Sequence, residues 1–110
     1  VEDEPDNISL IRSIIKHENI ELILATNGLE AVELCEQIPD LNLVLMDIRI
    51  PELDGFDATR QIKKINPKLT VIAQTAYAFE DDKEKAKLAG CDEFIVKPIT
   101  REKILRYFRP

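Results

Sequence analysis

Tryptophan is absent from this 110-residue chain, and aromatic residues of all kinds make up only 5% of it. Few flat rings remain for bases or sugars to stack on, which argues against a stacking platform for single-stranded nucleic acid. Positive charge is also short: 15 Lys and Arg face 21 Asp and Glu, a formal net charge of −6. Nucleic-acid binding draws much of its strength from cations that neutralise phosphates, so no direct nucleic-acid binding is expected and proteins are the expected partners. Two cysteines, Cys35 and Cys91, without paired spacing, and a single histidine, His17, form neither a disulfide framework nor a structural zinc site. A reducing, cytoplasmic compartment is the expectation. No apolar run approaches the ~18 residues of a membrane span, and no signal peptide precedes the first acidic cluster, so no membrane contact by this domain is expected.

What is present is 45% hydrophobic residue, mostly Leu, Ile, Val and Ala, in a length that suits one domain over residues 1–110. Ile8, Ile11, Ile14 and Ile15 recur at helical spacing and predict a helix over 7–18. Ile20 to Ala25 reads as a short strand. Asn27 then caps a helix, with Glu30 placed to complete a capping box, and Ala31, Val32, Cys35 and Ile38 form its buried stripe. Leu41 to Met46 is apolar except for Asn42 and suits a strand covered on both faces. Ala58, Ile62 and Ile65 mark a third helix that Asn66-Pro67 stops. Leu69 to Ala73 predicts a strand, Glu80 to Ala89 a helix with only Ala86 and Ala89 as a buried face, and Gly90 its C-terminal cap. Phe94-Ile95-Val96 is a last strand, followed by a helix from Thr100 with Ile104, Leu105 and Phe108 on one side. Strands alternating with helices at this rhythm predict a parallel sheet with helices on both faces.

Open sheets of this kind carry their sites outside the carboxyl ends of the strands, where the strand order reverses. Those ends are Glu2 and Asp3 from an expected first strand, then Asp47, Thr75 and Lys97, all polar. In a 2-1-3-4-5 order the first and third strands are neighbours, so Glu2, Asp3 and Asp47 converge. Two like charges ~4 Å apart repel by about 4 kcal/mol at an effective dielectric near 20, so a cation is the economical companion. Hard oxygen ligands point to Mg²⁺, or Mn²⁺, over Zn²⁺. A carboxylate beside such an ion can attack phosphorus to form an acyl phosphate, with Lys97 as a cation for the phosphoryl oxygens and Thr75 as a hydroxyl donor.

Four strings then carry a resemblance: Val1-Glu2-Asp3-Glu4, LVLMDIRIPELDGFDATRQI around Asp47, AQTAYA around Thr75, and GCDEFIVKPI around Lys97. Together, over nearly the whole chain, they resemble the receiver domains of two-component response regulators. The resemblance implies a flavodoxin-like (βα)5 three-layer sandwich with a five-stranded parallel sheet in order 2-1-3-4-5. It implies Asp47 as phosphoacceptor for a phosphohistidine of a histidine kinase or histidine phosphotransfer domain. Asp3 would be a direct Mg²⁺ ligand, Glu2 a ligand through water, and the Arg49 carbonyl a further one. Lys97 would pair with the phosphoryl group or Asp47, Thr75 and Phe94 would form the switch pair, and Lys97-Pro98 a cis peptide. The wording ELDGFDATRQIKK, with Arg49 and Tyr77 as modulators of acyl phosphate lifetime, is most similar to receivers fused to hybrid sensor histidine kinases. The domain would then sit in the cytoplasmic part of such a kinase, or beside an output domain of a response regulator. Receivers of this family have several apolar residues ahead of the position of Val1, so the first strand is expected to be truncated and the chain excised from a larger protein.

Blander readings stand beside these. Asp47 alone could be an ordinary strand-end carboxylate, Glu2 and Asp3 a solvated charge cluster, and Phe94 simply core. His17 lies on a polar helix end, Cys35 on a core stripe, and Cys91 follows a cap with no base nearby. Lys83, Lys85 and Lys87 read as a solvated face. Two rival functions remain: a phosphatase of the haloacid dehalogenase type, which wants a second acid where Arg49 stands, and a receiver-like interaction module that is never phosphorylated. The domain itself is expected to be at most a self-phosphorylating and autodephosphorylating acceptor.

Overall fold

The computed structural model describes residues 1–2, 4–16, 23–48, 55–75, 80–97 and 99–105. Helix α1, Pro5–Ile15, starts two residues before the spacing predicts and ends three before. Pro5 explains the early start, because proline has φ already set for a first helical turn and lacks an N–H that would go unpaired there. Helix α2, Gly28–Gln37, opens on Asn27, whose Oδ1 accepts the Glu30 N–H at 2.8 Å; such a cap contributes about 1 kcal/mol. The Glu30 carboxylate accepts from the Thr26 hydroxyl at 3.4 Å, where the capping box would have turned it to the Asn27 backbone.

Strand β1, Leu43–Asp47, begins later than the apolar run suggests and includes Asp47. Helix α3, Gly55–Ile65, ends where the Asn66 side chain accepts the Lys68 N–H. Strand β2, Thr70–Thr75, carries Thr75 as its last residue, and strand β3 is Glu93–Val96. Between them lies helix α4, Glu80–Ala89, over the residues that its composition predicts. Gly90 follows at φ 106°, while Gly90 N–H donates to Lys87 and Cys91 N–H to Ala86. That pairing is a Schellman close, which needs a left-handed residue and so favours glycine. Helix α5, Arg101–Leu105, is capped by Thr100 Oγ1 accepting from Lys103 N–H.

Strands β1, β2 and β3 form a parallel sheet in that order, with Asp47 opposite Gln74 and Thr75 opposite Val96. On the far side of β1, Val1 N donates to Leu45 O and Asp47 N to Val1 O, while Glu2 N donates to Ala25 O at 2.9 Å. Residues 1–2 therefore lie between Ala25 and β1, which is the spatial sequence 2-1-3-4-5 even though only three strands are assigned among the described residues. The expected second strand is seen only at residues 23–25, which are not in strand conformation; 20–22, like His17 and Phe108, lie outside the described residues.

The pleat sorts side chains into two cores. Val44, Met46 and Val71 pack with Ala31, Val32, Cys35, Ala58 and Ile62 of α2 and α3, whereas Leu45 packs with Ile11, Ile14, Ile15, Ile99 and Ile104 beside α1 and α5. A third cluster joins Ile48 and Ala73 to Ala86 of α4, with Phe56 and Phe94 against it. The thin apolar face of α4 is as expected at Ala86 and Ala89, and it also buries Asp82.

Gly55 sets how closely α3 approaches the end of β1. A Cβ there would stand 2.6 Å from Ile48 Cα and 2.7 Å from Asp47 O, both backbone atoms that cannot turn aside. Gly55→Ala therefore forces the helix off the strand end at a cost of about 2 kcal/mol, which thermal melting would record as a midpoint lower by roughly 10 °C. An unchanged midpoint would mean that α3 slides away freely.

Candidate functional site

Alternation along the strands decides which polar residues meet. Asp47 follows Leu45 by two positions, Gln74 follows Ile72, and Lys97 follows Ile95, so all three project on the face of α1 and α5 from the carboxyl ends of adjacent strands. Glu2, one position beyond Val1, joins them. The result is a compact ion cluster: Lys97 Nζ lies 2.9 Å from Asp47 Oδ2 and 3.2 Å from Glu2 Oε2. Both carboxylates are almost wholly buried, with Glu2 1% and Asp47 4% exposed.

Glu2 is held from three directions. Its Oε1 accepts the Glu4 N–H at 3.2 Å, and its Oε2 accepts from Lys97 and from Gln74 Nε2, also at 3.2 Å. Burial first, and the Asp47 charge second, nevertheless push its pKa above the ordinary carboxylate value. Lys97 is held above the usual lysine value: burial works against its charge, but the hydrogen bond and charge of Asp47, then those of Glu2, outweigh it. The ammonium is thus firmly protonated, and among the described residues it pairs with both buried carboxylates.

Thr75 is buried at the end of β2, one residue past Gln74 and so on the opposite face, with Ala73 and Phe94. Its carbonyl accepts the Lys97 N–H at 2.7 Å. Phe94 lies opposite Ala73, half-buried against the third core cluster. Asp3, Arg49, Tyr77 and Pro98 lie outside the described residues. Cys35 is core, as its stripe predicts, and burial pushes its thiol up. Cys91 lies 3.7 Å from the Thr59 hydroxyl, and burial likewise pushes its thiol up, away from a nucleophile. Lys83, Lys85 and Lys87 are exposed. Gln74 is the residue that sequence reasoning passed over; a single amide in an otherwise apolar strand, beside Thr75, was the signal available.

A model of the response regulator receiver domain matches residues 1–109. The chain belongs to the response regulator receiver family. Among curated receivers, it is 41% identical over 103 residues to the polar-differentiation response regulator DivK of Brucella anthropi, covering 91% of this chain and 82% of that protein. Among solved structures, it is similar to the receiver domain of sensor histidine kinase PA1611 of Pseudomonas aeruginosa, which has a magnesium ion in its active-site cleft. That match has a TM-score of 0.87 at 33% identity, over 96% of this chain and 88% of that one. The receiver domain of the response regulator Ssk1, solved with the histidine phosphotransfer protein Ypd1 of Saccharomyces cerevisiae, gives a TM-score of 0.85 at 30% identity, over 96% and 80% of the two chains. The protein is thus a receiver domain of two-component signalling with the flavodoxin-like fold, and the dehalogenase-type reading falls away. No helix among the described residues is long and apolar enough to cross a membrane.

The raised pKa of Glu2 makes the metal-free fold pH-sensitive. Because the folded value exceeds the unfolded one, the carboxylate costs stability above its folded pKa and nothing below the ordinary value of 4.5, where both states are protonated. Glu2→Gln should therefore melt higher than wild type at about pH 7 and lose that advantage by about pH 4. Melting curves of metal-free protein at the two pH values check this, and a difference independent of pH would contradict it.

Proposed function

We propose that Asp47 is the phosphoacceptor of this receiver and takes its phosphoryl group from a phosphohistidine on a histidine kinase or a histidine phosphotransfer domain. The observation that carries the reading is the Asp47–Lys97 pair at the strand ends, with Glu2 drawn into the same cluster. An Asp47 carboxylate oxygen attacks phosphorus, the phosphorus–nitrogen bond to the donor imidazole breaks with its electron pair going to that ring, and Asp47 becomes an acyl phosphate. Lys97 Nζ, already 2.9 Å from Asp47, then donates to a phosphoryl oxygen.

The cluster fits a hard divalent cation. Glu2 and Asp47 present oxygen only and carry one more negative charge than Lys97 offsets. Among the described residues no group of three potential ligands is assembled; Asp3 and the Arg49 carbonyl, which the sequence resemblance adds, lie outside them. Mg²⁺, held by Asp47 and Asp3 directly and by Glu2 through water, would supply charge neutralisation for the attacked phosphoryl group. The Mg²⁺ ion in the PA1611 receiver supports this choice.

Phosphorylation is then read through Thr75 and Phe94, which share one face of β2 and β3: Thr75 donates to the phosphoryl group, and Phe94 follows the space it leaves beside α4. The phosphoryl group favours one of two arrangements, a population shift in physical terms. The sequence around Asp47 favours a parent of the hybrid kinase type, in which Asp47 passes the group on to a further histidine.

Incubation with acetyl phosphate and Mg²⁺, followed by intact mass, should show one added phosphoryl group in wild type. The adduct should be absent without the metal and in Asp47→Asn. A folded wild type that gains no mass at any time from seconds to hours after mixing, or an Asp47→Asn that gains it, would defeat the assignment.

A further inference from the structure

We infer that Gln74 is a positioning residue for this chemistry: its side-chain amide holds the Glu2 carboxylate in place for the metal, and still holds it when Lys97 turns to the phosphoryl group. The inference rests on Asp47 being the phosphoacceptor. In the structure Lys97 divides its ammonium between Asp47 Oδ2 and Glu2 Oε2. A phosphoryl group on Asp47 adds oxygens of higher charge, and the lysine that serves them serves Glu2 less. Glu2 Oε2 then keeps one side-chain donor among the described residues, Gln74 Nε2 at 3.2 Å. Oε1 keeps the Glu4 backbone N–H, which fixes one end of the carboxylate but leaves its rotation about that contact to Gln74.

A second observation concerns the other half of the amide. Gln74 is fully buried, and its Oε1 has no hydrogen-bond partner among the described residues. Exchanging the amide oxygen and nitrogen would set two acceptors against each other at Glu2, so the orientation is fixed by the network. A buried acceptor without a partner destabilises a fold, and the preceding β2 residues Val71, Ile72 and Ala73 are apolar. Judged by that oxygen alone, an apolar residue at position 74 would suit the fold better. The amide makes physical sense through what its Nε2 does for Glu2, and groups that orient metal-binding carboxylates from behind have this character.

The test compares wild type with Gln74→Met, which keeps the length of the side chain and removes the donor. Three quantities are read: the melting midpoint without metal, the Mg²⁺ dissociation constant by calorimetry, and the rate of phosphorylation by acetyl phosphate at saturating Mg²⁺. The variant should melt no lower than wild type, bind Mg²⁺ about tenfold more weakly, and keep its saturated rate within about twofold. Equal Mg²⁺ affinity in the two proteins overturns the inference. So does a variant that melts lower or fails to fold, because the amide would then be structural. Wild type that neither binds Mg²⁺ nor accepts phosphoryl would instead defeat the reading of Asp47 on which the inference rests.

Discussion

Two carboxylates buried side by side and sharing the Lys97 ammonium are the constraint to which the other features of this domain answer. Glu2 and Asp47 are each nearly inaccessible, and both lean on Lys97. Taking charges out of water is expensive, and an ion pair offsets that cost only with good geometry and further hydrogen bonds. Burial, and after it the Asp47 charge, raise the affinity of Glu2 for a proton despite three donors around it. A divalent cation placed against both carboxylates would relieve a site in this condition.

The fold supplies that geometry through simple periodicities. Parallel strands in register bring Asp47, Gln74 and Ile95 side by side, and the pleat turns Lys97 to the same face. Residues 1–2, bound between Ala25 and β1, place Glu2 beside Asp47. Gly55 lets α3 close against the backbone of Asp47 and Ile48. The same alternation puts Thr75 on the other face, with Phe94 and α4, so adjacent residues of one strand look toward the ion cluster and toward the third core cluster.

Much of this was legible in the sequence because its causes are local. Asn27 and Gly90 announced helix ends through capping and left-handed geometry that few other residues provide. Apolar runs ending in Asp47 and Lys97 marked strand ends at which a site would form. Less local features were harder to read. The start of α1 turned on Pro5 fitting a first turn, a choice that hydrophobic spacing does not record. Burial of Asp82 on α4 depends on what packs over that helix. Gln74 was missed because its role comes from Glu2, 72 positions away in the chain. Parity alone would have hinted at it, since Asp47 and Lys97 share a face on which Gln74, and not Thr75, must lie.

On this account Glu2 and Asp47 carry more negative charge than Lys97 offsets, and a divalent cation relieves it. The most direct measurement is the melting midpoint as a function of Mg²⁺ concentration at constant ionic strength. A ligand bound only by the folded state stabilises it by about 2.7 kcal/mol at a hundredfold excess over its dissociation constant. The midpoint should therefore climb steadily with Mg²⁺ in wild type, and this climb should shrink in Asp47→Asn, which gives up one of the two anions. A midpoint that ignores Mg²⁺, or rises equally in both proteins, would contradict the account.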